Sequence, residues 1–194
     1  MRFSRSLIPL ALAAALGGCF GGGKAPATLY TLTPSAADPV TLSRTASAGQ
    51  AVTIAVPVID KALRTTRVAV DRGPTQVQYV KDVQLVDMPD RLFQQLLSET
   101  IRRTTSRVVL DPAQSTLDPG ILVTGELHKF NYDSGSGQVI VQYDAAMSSE
   151  GGRTIESRRF TGTAPADGTA KTVGAALNEA ANHVAADVAT WIGN

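Results

Sequence analysis

The chain has 194 residues, with 18 lysines and arginines against 17 aspartates and glutamates, so its formal charge is only +1. So even a balance gives no electrostatic reason to expect nucleic acid, whose binding rests on neutralising phosphates. One cysteine excludes an intrachain disulfide, and an ordinary hydrophobic core must hold the fold.

The first predicted element is a secretory signal. Arg2 and Arg5 give a basic start, and Leu7-Ile8-Pro9-Leu10-Ala11-Leu12-Ala13-Ala14-Ala15-Leu16 is an apolar stretch too short to span a bilayer. Gly18 to Lys24 then fits G-x-x-x-x-G-K, the start of a phosphate-binding loop. That loop requires Ser or Thr next, to ligate Mg²⁺, and a helix beyond. Ala25 stands at the first requirement and Pro26 interrupts the second.

Leu16-Gly17-Gly18 before Cys19 explains more of the same residues, because it resembles the lipobox of bacterial lipoproteins. The resemblance implies removal of residues 1–18 as a signal peptide and attachment of S-diacylglycerol and an N-acyl chain (palmitate-type lipid) to Cys19, with no other cofactor. The simpler alternative is a plain signal peptide that leaves Cys19 as a free thiol. One acyl chain holds a protein only marginally, at about 0.8 kcal/mol per buried CH₂, so several chains are needed for a firm anchor. In similar lipoproteins an aspartate after the cysteine retains the protein at the inner membrane. Phe20 in that place implies the outer membrane, facing the periplasm. Residues 19–27 read as lipidated cysteine and flexible tether. Taking residues 1–18 from 194 leaves 176, and losing Arg2 and Arg5 turns +1 into −1. One domain, residues 28–194, is expected.

Within it, Thr28 to Pro34 alternates and is predicted as a short strand. Residues 35–50 read as loop. Ala51 to Ile59 is β-branched and nearly continuous, a predicted central strand stopped at Pro57. Arg67–Asp71 and Gln76–Val80 flank Arg72-Gly73-Pro74 as a hairpin. A helix should follow, capped by Asp87 with Pro89 and Asp90 in its first turn, and with Leu92, Phe93, Leu96, Leu97 and Ile101 on one face. Arg102, Arg103 and Arg107 crowd its C-terminal end, where cations are favoured.

Val108–Leu110 is a predicted short strand. Ile121–Phe130, Gln138–Met147 and Arg153–Thr161 follow as a half-buried meander joined by Gly/Ser-rich turns. The last helix, from about Thr169 to Ile192, carries so many alanines on its apolar face that it should lie close to the sheet. The expected fold is α+β: a mostly antiparallel, mixed sheet with two helices packed on one face.

Residues suited to chemistry are sparse. Glu126 and His128 share a strand face, but no further histidine or cysteine lies nearby to complete a metal set. His183 and Glu179 have the spacing of a helical pair. Ser134 and Ser136 lack the strand–turn–helix setting of an activated serine. Neither a catalytic residue nor a metal site is assigned, and an enzyme is not expected.

Over nearly the whole of residues 28–194 the pattern resembles the ABC-type transport auxiliary lipoproteins, the PqiC-like group. The marks are Cys19, Tyr30-Thr31-Leu32-Thr33-Pro34, Val56-Pro57-Val58-Ile59 leading to Ala62-Leu63-Arg64, Val77-Gln78-Tyr79, and Asp87-Met88-Pro89 opening the helix. Leu85-Val86-Asp87 replaces the tryptophan–acid pair usual in the family, and Ala62-Leu63 its tyrosine–leucine pair. The resemblance implies work beside an inner-membrane ABC permease and an MCE-domain (mammalian-cell-entry) protein in lipid transport that supports membrane integrity. Partner contacts are expected from the meander and hairpin tips, with Tyr79, Arg102 and Arg103 as candidates, and self-assembly into a homo-oligomeric ring is a related expectation. An LPS-assembly lipoprotein partnering a β-barrel is the alternative.

Overall fold

Alternation of apolar and polar residues builds the longest strands, and period-four apolar spacing builds the helices. The computed structural model describes residues 28–38, 43–73, 76–118 and 120–193. In chain order the elements are β1 (Val52–Ile54), β2 (Val58–Ile59), β3 (Arg67–Asp71), β4 (Val77–Gln84), α1 (Pro89–Thr104), β5 (Val109–Leu110), β6 (Ile121–Asp133), β7 (Gln138–Ser149), β8 (Thr154–Pro165) and α2 (Ala170–Gly193). The fold is α+β, as the sequence predicts.

The eight strands make one mixed sheet. β6, β7 and β8 form the antiparallel meander, with every residue of β7 paired to β8. The other edge of β6 is shared by three short strands running parallel to it, β1 at Ile121–Val123, β2 at Glu126–Leu127 and β3 at Asn131–Asp133. β5 extends β1 in parallel, and β4 closes on β3 as the expected hairpin.

Three sequence expectations are corrected. Ala51–Ile59 is two strands rather than one, because the chain leaves the ladder after the Ala55 N–H bonds the Val123 carbonyl, at Val56-Pro57, where proline has no N–H to give, and rejoins it at Val58. Thr28–Pro34 is extended but contributes only a single bridge, Tyr30 to Leu85. Asparagines of α2 replace its ladder: Asn178 Oδ1 accepts from Thr33 N–H at 2.8 Å and Asn182 Oδ1 from Ser35 N–H at 2.7 Å. Asp87 does not cap α1, whose N-cap is Met88; its carboxylate accepts the Met88 N–H at 2.7 Å instead. Pro89 and Asp90 occupy the first turn as expected. The meander strands also run past their predicted ends, to Asp133, Ser149 and Pro165.

Both helices pack on one face. α1 buries Leu92, Phe93, Leu96, Leu97 and Ile101, and α2 buries Val173, Leu177, Ala180, Ala181, Val184, Val188 and Ile192. They meet Val139, Val141, Tyr143 and Ala145 of β7, all buried. Each such large apolar side chain contributes roughly 1.5–3 kcal/mol on burial. The close approach foreseen from the alanines is real, since a Cβ added to Gly162 of β8 would stand 2.2 Å from the Ala180 carbonyl oxygen. Phe93 and Tyr143 stack tilted, with centroids 5.1 Å apart. The Tyr143 hydroxyl is fully buried without a hydrogen-bond partner among the described residues, and burial pushes its pKa well up.

Candidate functional site

Among the described residues no helix covers the opposite face of the sheet. Strand register sets its side chains in rows that cross the strands, about 7 Å apart because each row is two residues on from the last. One row reads Thr53, Leu122, Ser148, Ile155. The next is small: Thr124, Ala146, Ser157. The third is Val58, Glu126, Asp144, Arg159. Small residues between larger ones leave an open groove of about 780 Å³, walled on one side by Val56 and Val58. Ile155 is 70% exposed and Val58 62%, so this face presents apolar surface that the core does not use.

A polar cluster closes one side of the groove. Arg159 donates through Nε and Nη2 to the two oxygens of Asp144, at 2.6 and 2.5 Å. His128 Nε2 lies 3.1 Å from Asp144 Oδ2, and its Nδ1 lies 3.5 Å from Glu126 Oε1. The register shifts between Leu127 and Lys129, and this irregularity holds His128 between the two carboxylates. The hydrogen bond from Arg159 lowers the Asp144 pKa below the ordinary carboxylate value, and the same bond raises that of Arg159. Among the described residues no hydroxyl hydrogen-bonds to His128, and no group of three or more His, Cys, Asp or Glu residues could hold a metal ion. A bidentate pair on a half-exposed strand face fixes side chains in place; it does not activate a nucleophile.

The other singled-out residues serve the fold. Ser134, just after β6, donates its hydroxyl to the Asp71 carbonyl at the end of β3 at 2.9 Å. Glu179 and His183 form no ion pair; at exposed helix positions water screens the attraction that their spacing would allow. Tyr79 donates to the Ala62 carbonyl at 3.3 Å and lies under the Arg67 guanidinium. Arg102 reaches the Val109 carbonyl at 3.4 Å and Glu99 at 3.6 Å. Arg103 binds Glu99 at 2.8 Å, Asp38 at 2.7 Å and the Ala36 carbonyl at 2.9 Å. Each candidate for partner contact therefore has work within the chain. Leu16, Gly17, Gly18 and Cys19 lie outside the described residues.

Arg103 belongs to an arrangement that sequence reasoning missed. The segment from Tyr30 to Asp38 lies as a strap over the helices. Asn178 and Asn182 take its amides, Asn182 Nδ2 donates to the Thr33 carbonyl at 2.9 Å, and the Tyr30 ring occupies the place a side chain at Gly174 would fill. Arg44 then donates to the carbonyls of Arg102, Thr105 and Arg107 at the end of α1. Two asparagines four apart on an Ala/Val-rich helix face were the available signal.

Residues 30–189 match the family described as ABC-type transport auxiliary lipoprotein component. The chain belongs to that family. The match runs from the first residue of the strap to the last turns of α2, so it takes in both helices and the whole sheet. A crystallised DUF330 protein from Xanthomonas campestris is similar in fold, with a TM-score of 0.71 at 14% identity over 86% of this chain and 95% of that one. A second crystal structure, of an uncharacterized protein, gives 0.63 at 11% identity over 85% and 99%. A PelC dodecamer from Paraburkholderia phytofirmans gives 0.43 at 15% identity over 78% and 93%. No curated protein matches the chain. No helix among the described residues is long and apolar enough to cross a membrane.

Proposed function

We propose that this transport auxiliary lipoprotein is held at the periplasmic face of the outer membrane by acyl chains on Cys19. There it serves as a non-catalytic docking component of an ABC/MCE-type lipid transport system. The observation that carries the reading is the family match over residues 30–189 in a domain that spends one sheet face on its helices and, among the described residues, leaves the other without a helix. A docking component needs an anchor, a joint between anchor and domain, and a free surface. The nine residues 19–27 can reach roughly 30 Å at full extension. The strap joins that tether to both helices, so a pull on the anchor is borne by the core and not by a loose end. The groove beside Val58 and Arg159 supplies surface that none of the described residues fills.

The test is cross-linking in living cells with a C-terminal tag, followed by partner identification and membrane fractionation, with Cys19→Ala in parallel. Recovery of an MCE-domain protein and its permease from the outer-membrane fraction, weakened for Cys19→Ala, is the expected result. Recovery of a β-barrel instead, or unchanged membrane retention of Cys19→Ala, would overturn the proposal.

A further inference from the structure

β8 is the long free edge of the sheet. It pairs with β7 along its full length and with no other strand among the described residues. Its backbone groups on the outer side are therefore unspent, and Thr154 to Arg159 are all exposed. A twelve-residue open edge is a ready template for another strand.

The side chains along this edge are not neutral about what joins it. Arg153, Arg158 and Arg159 stand against one carboxylate, Glu156, which already accepts from Trp191 Nε1 at 3.3 Å. Arg159 is spent on Asp144. Arg158 has no carboxylate partner among the described residues and lies over the Phe160 ring at 5.4 Å. Beside it, between β8 and α2, a cleft of about 250 Å³ is lined by Phe160, Trp191, Thr190 and Asp187. Phe160 and Trp191 stack within it at 5.6 Å.

Arg158 and Phe160 are two residues apart and so share the helix-side face of the strand. A strand added to this edge would place its own alternate side chains over them. We propose that the free edge of β8 accepts an extended acidic segment of a partner protein as an added strand, with a carboxylate opposite Arg158 and an apolar side chain in the Phe160–Trp191 cleft. Asp187 on the helix side of the cleft disfavours a second carboxylate there. A second copy of this chain fits less well, because its β8 carries the same excess of arginine. The inference rests on the docking reading above only for who supplies the segment.

Trp191 is the only tryptophan in the chain, so its fluorescence reports on this cleft alone. The probe is the synthetic peptide acetyl-Thr-Phe-Thr-Glu-Thr-Phe-Thr-amide, palindromic so that neither strand direction is presupposed. Titrated into the purified chain it should change Trp191 emission saturably and slow amide exchange within β8. The same peptide with lysine for glutamate should bind at least roughly tenfold more weakly, about 1.4 kcal/mol. Arg158→Glu should reverse that preference, and Arg158→Ala should abolish it; the exposed position leaves the fold intact in both. The proposal fails if emission does not change up to roughly 1 mM peptide, if Arg158→Glu leaves the preference unaltered, or if protection appears in another element. It fails equally if Trp191 emission changes with protein concentration without peptide, which would assign the edge to a second copy. Peptide binding without an MCE-domain partner in cells would refute the docking reading and leave the edge assignment standing.

Discussion

The two faces of the sheet are built from the same strands and carry opposite chemistry. Toward the helices, β7 presents Val139, Val141, Tyr143 and Ala145, all buried, and α2 comes so close that β8 needs a glycine at 162. Away from them, the intervening residues Gln142, Asp144 and Ala146 stay half-buried, and Val58 and Ile155 are open to solvent. Stability resides on the first face. The second face is spared from packing, so its residues are free to be chosen for contact.

The sharpest way to break that comparison is to cut matched holes in the two faces. Phe93→Ala should lower unfolding stability by about 3–5 kcal/mol, whereas Val58→Ala should stay within about 0.5 kcal/mol, both read from urea midpoints. Equal losses would mean that the outer face is part of the core. Next in size is the strap. Asn182→Ala leaves the Ser35 N–H and Thr33 C=O without their partner and should cost about 1–3 kcal/mol. It should also open residues 30–38 to limited proteolysis while α2 stays folded. A strap as protected as in the parent would show that Tyr30 and Arg103 suffice to hold it.

Smaller effects sit in the half-exposed polar groups. Asp144→Asn weakens the bidentate contact with Arg159 and should cost no more than about 1 kcal/mol, since water screens a pair this open. A larger loss would make the outer cluster structural. Smallest of all is a local acid effect at the start of α2. Asp167 accepts from the Thr172 hydroxyl and the Thr169 amide, and these bonds hold its pKa down at about 2. A depressed carboxylate stabilises fully above its unfolded pKa and loses that contribution as pH falls through the folded value. The first turn of α2 should therefore fray between about pH 4 and pH 2, seen as faster exchange of the Thr169 amide after correction for intrinsic rates. A flat profile across that window would contradict the assignment.

How much of this was legible in the sequence follows from which signals are local. The α1 face, the α2 face and the β3–β4 and β6–β7–β8 connections are written in periodicity and turn composition, and they stand where predicted. Pro57 was visible, but a proline shows where a ladder is interrupted and not whether the chain rejoins it; resumption at Val58 depends on the distant edge of β6. Thr28–Pro34 carries strand-like alternation, yet its partners are helix side chains 145 to 149 residues away, beyond any local rule. His128 reads as Glu126's neighbour on a strand face, while its contact with Asp144 depends on a register shift that no residue type announces. Arg102 and Arg103 read in the sequence as candidate contact residues at a helix end that favours cations. The same C-terminal position that favours cations also puts them in reach of carbonyls and of the strap.

The central claim, that the helix-covered face holds the fold while the bare face and its β8 edge meet the partner, is tested most directly by position-resolved photo-cross-linking in cells. A photoreactive residue would replace Val58 or Ile155 on the bare face or Arg158 on the β8 edge, and Lys171, Glu179 or Arg91 on the helices. The account predicts that adducts with an MCE-domain protein form from the first three and not from the second three. Adducts confined to the helix-side positions would contradict it.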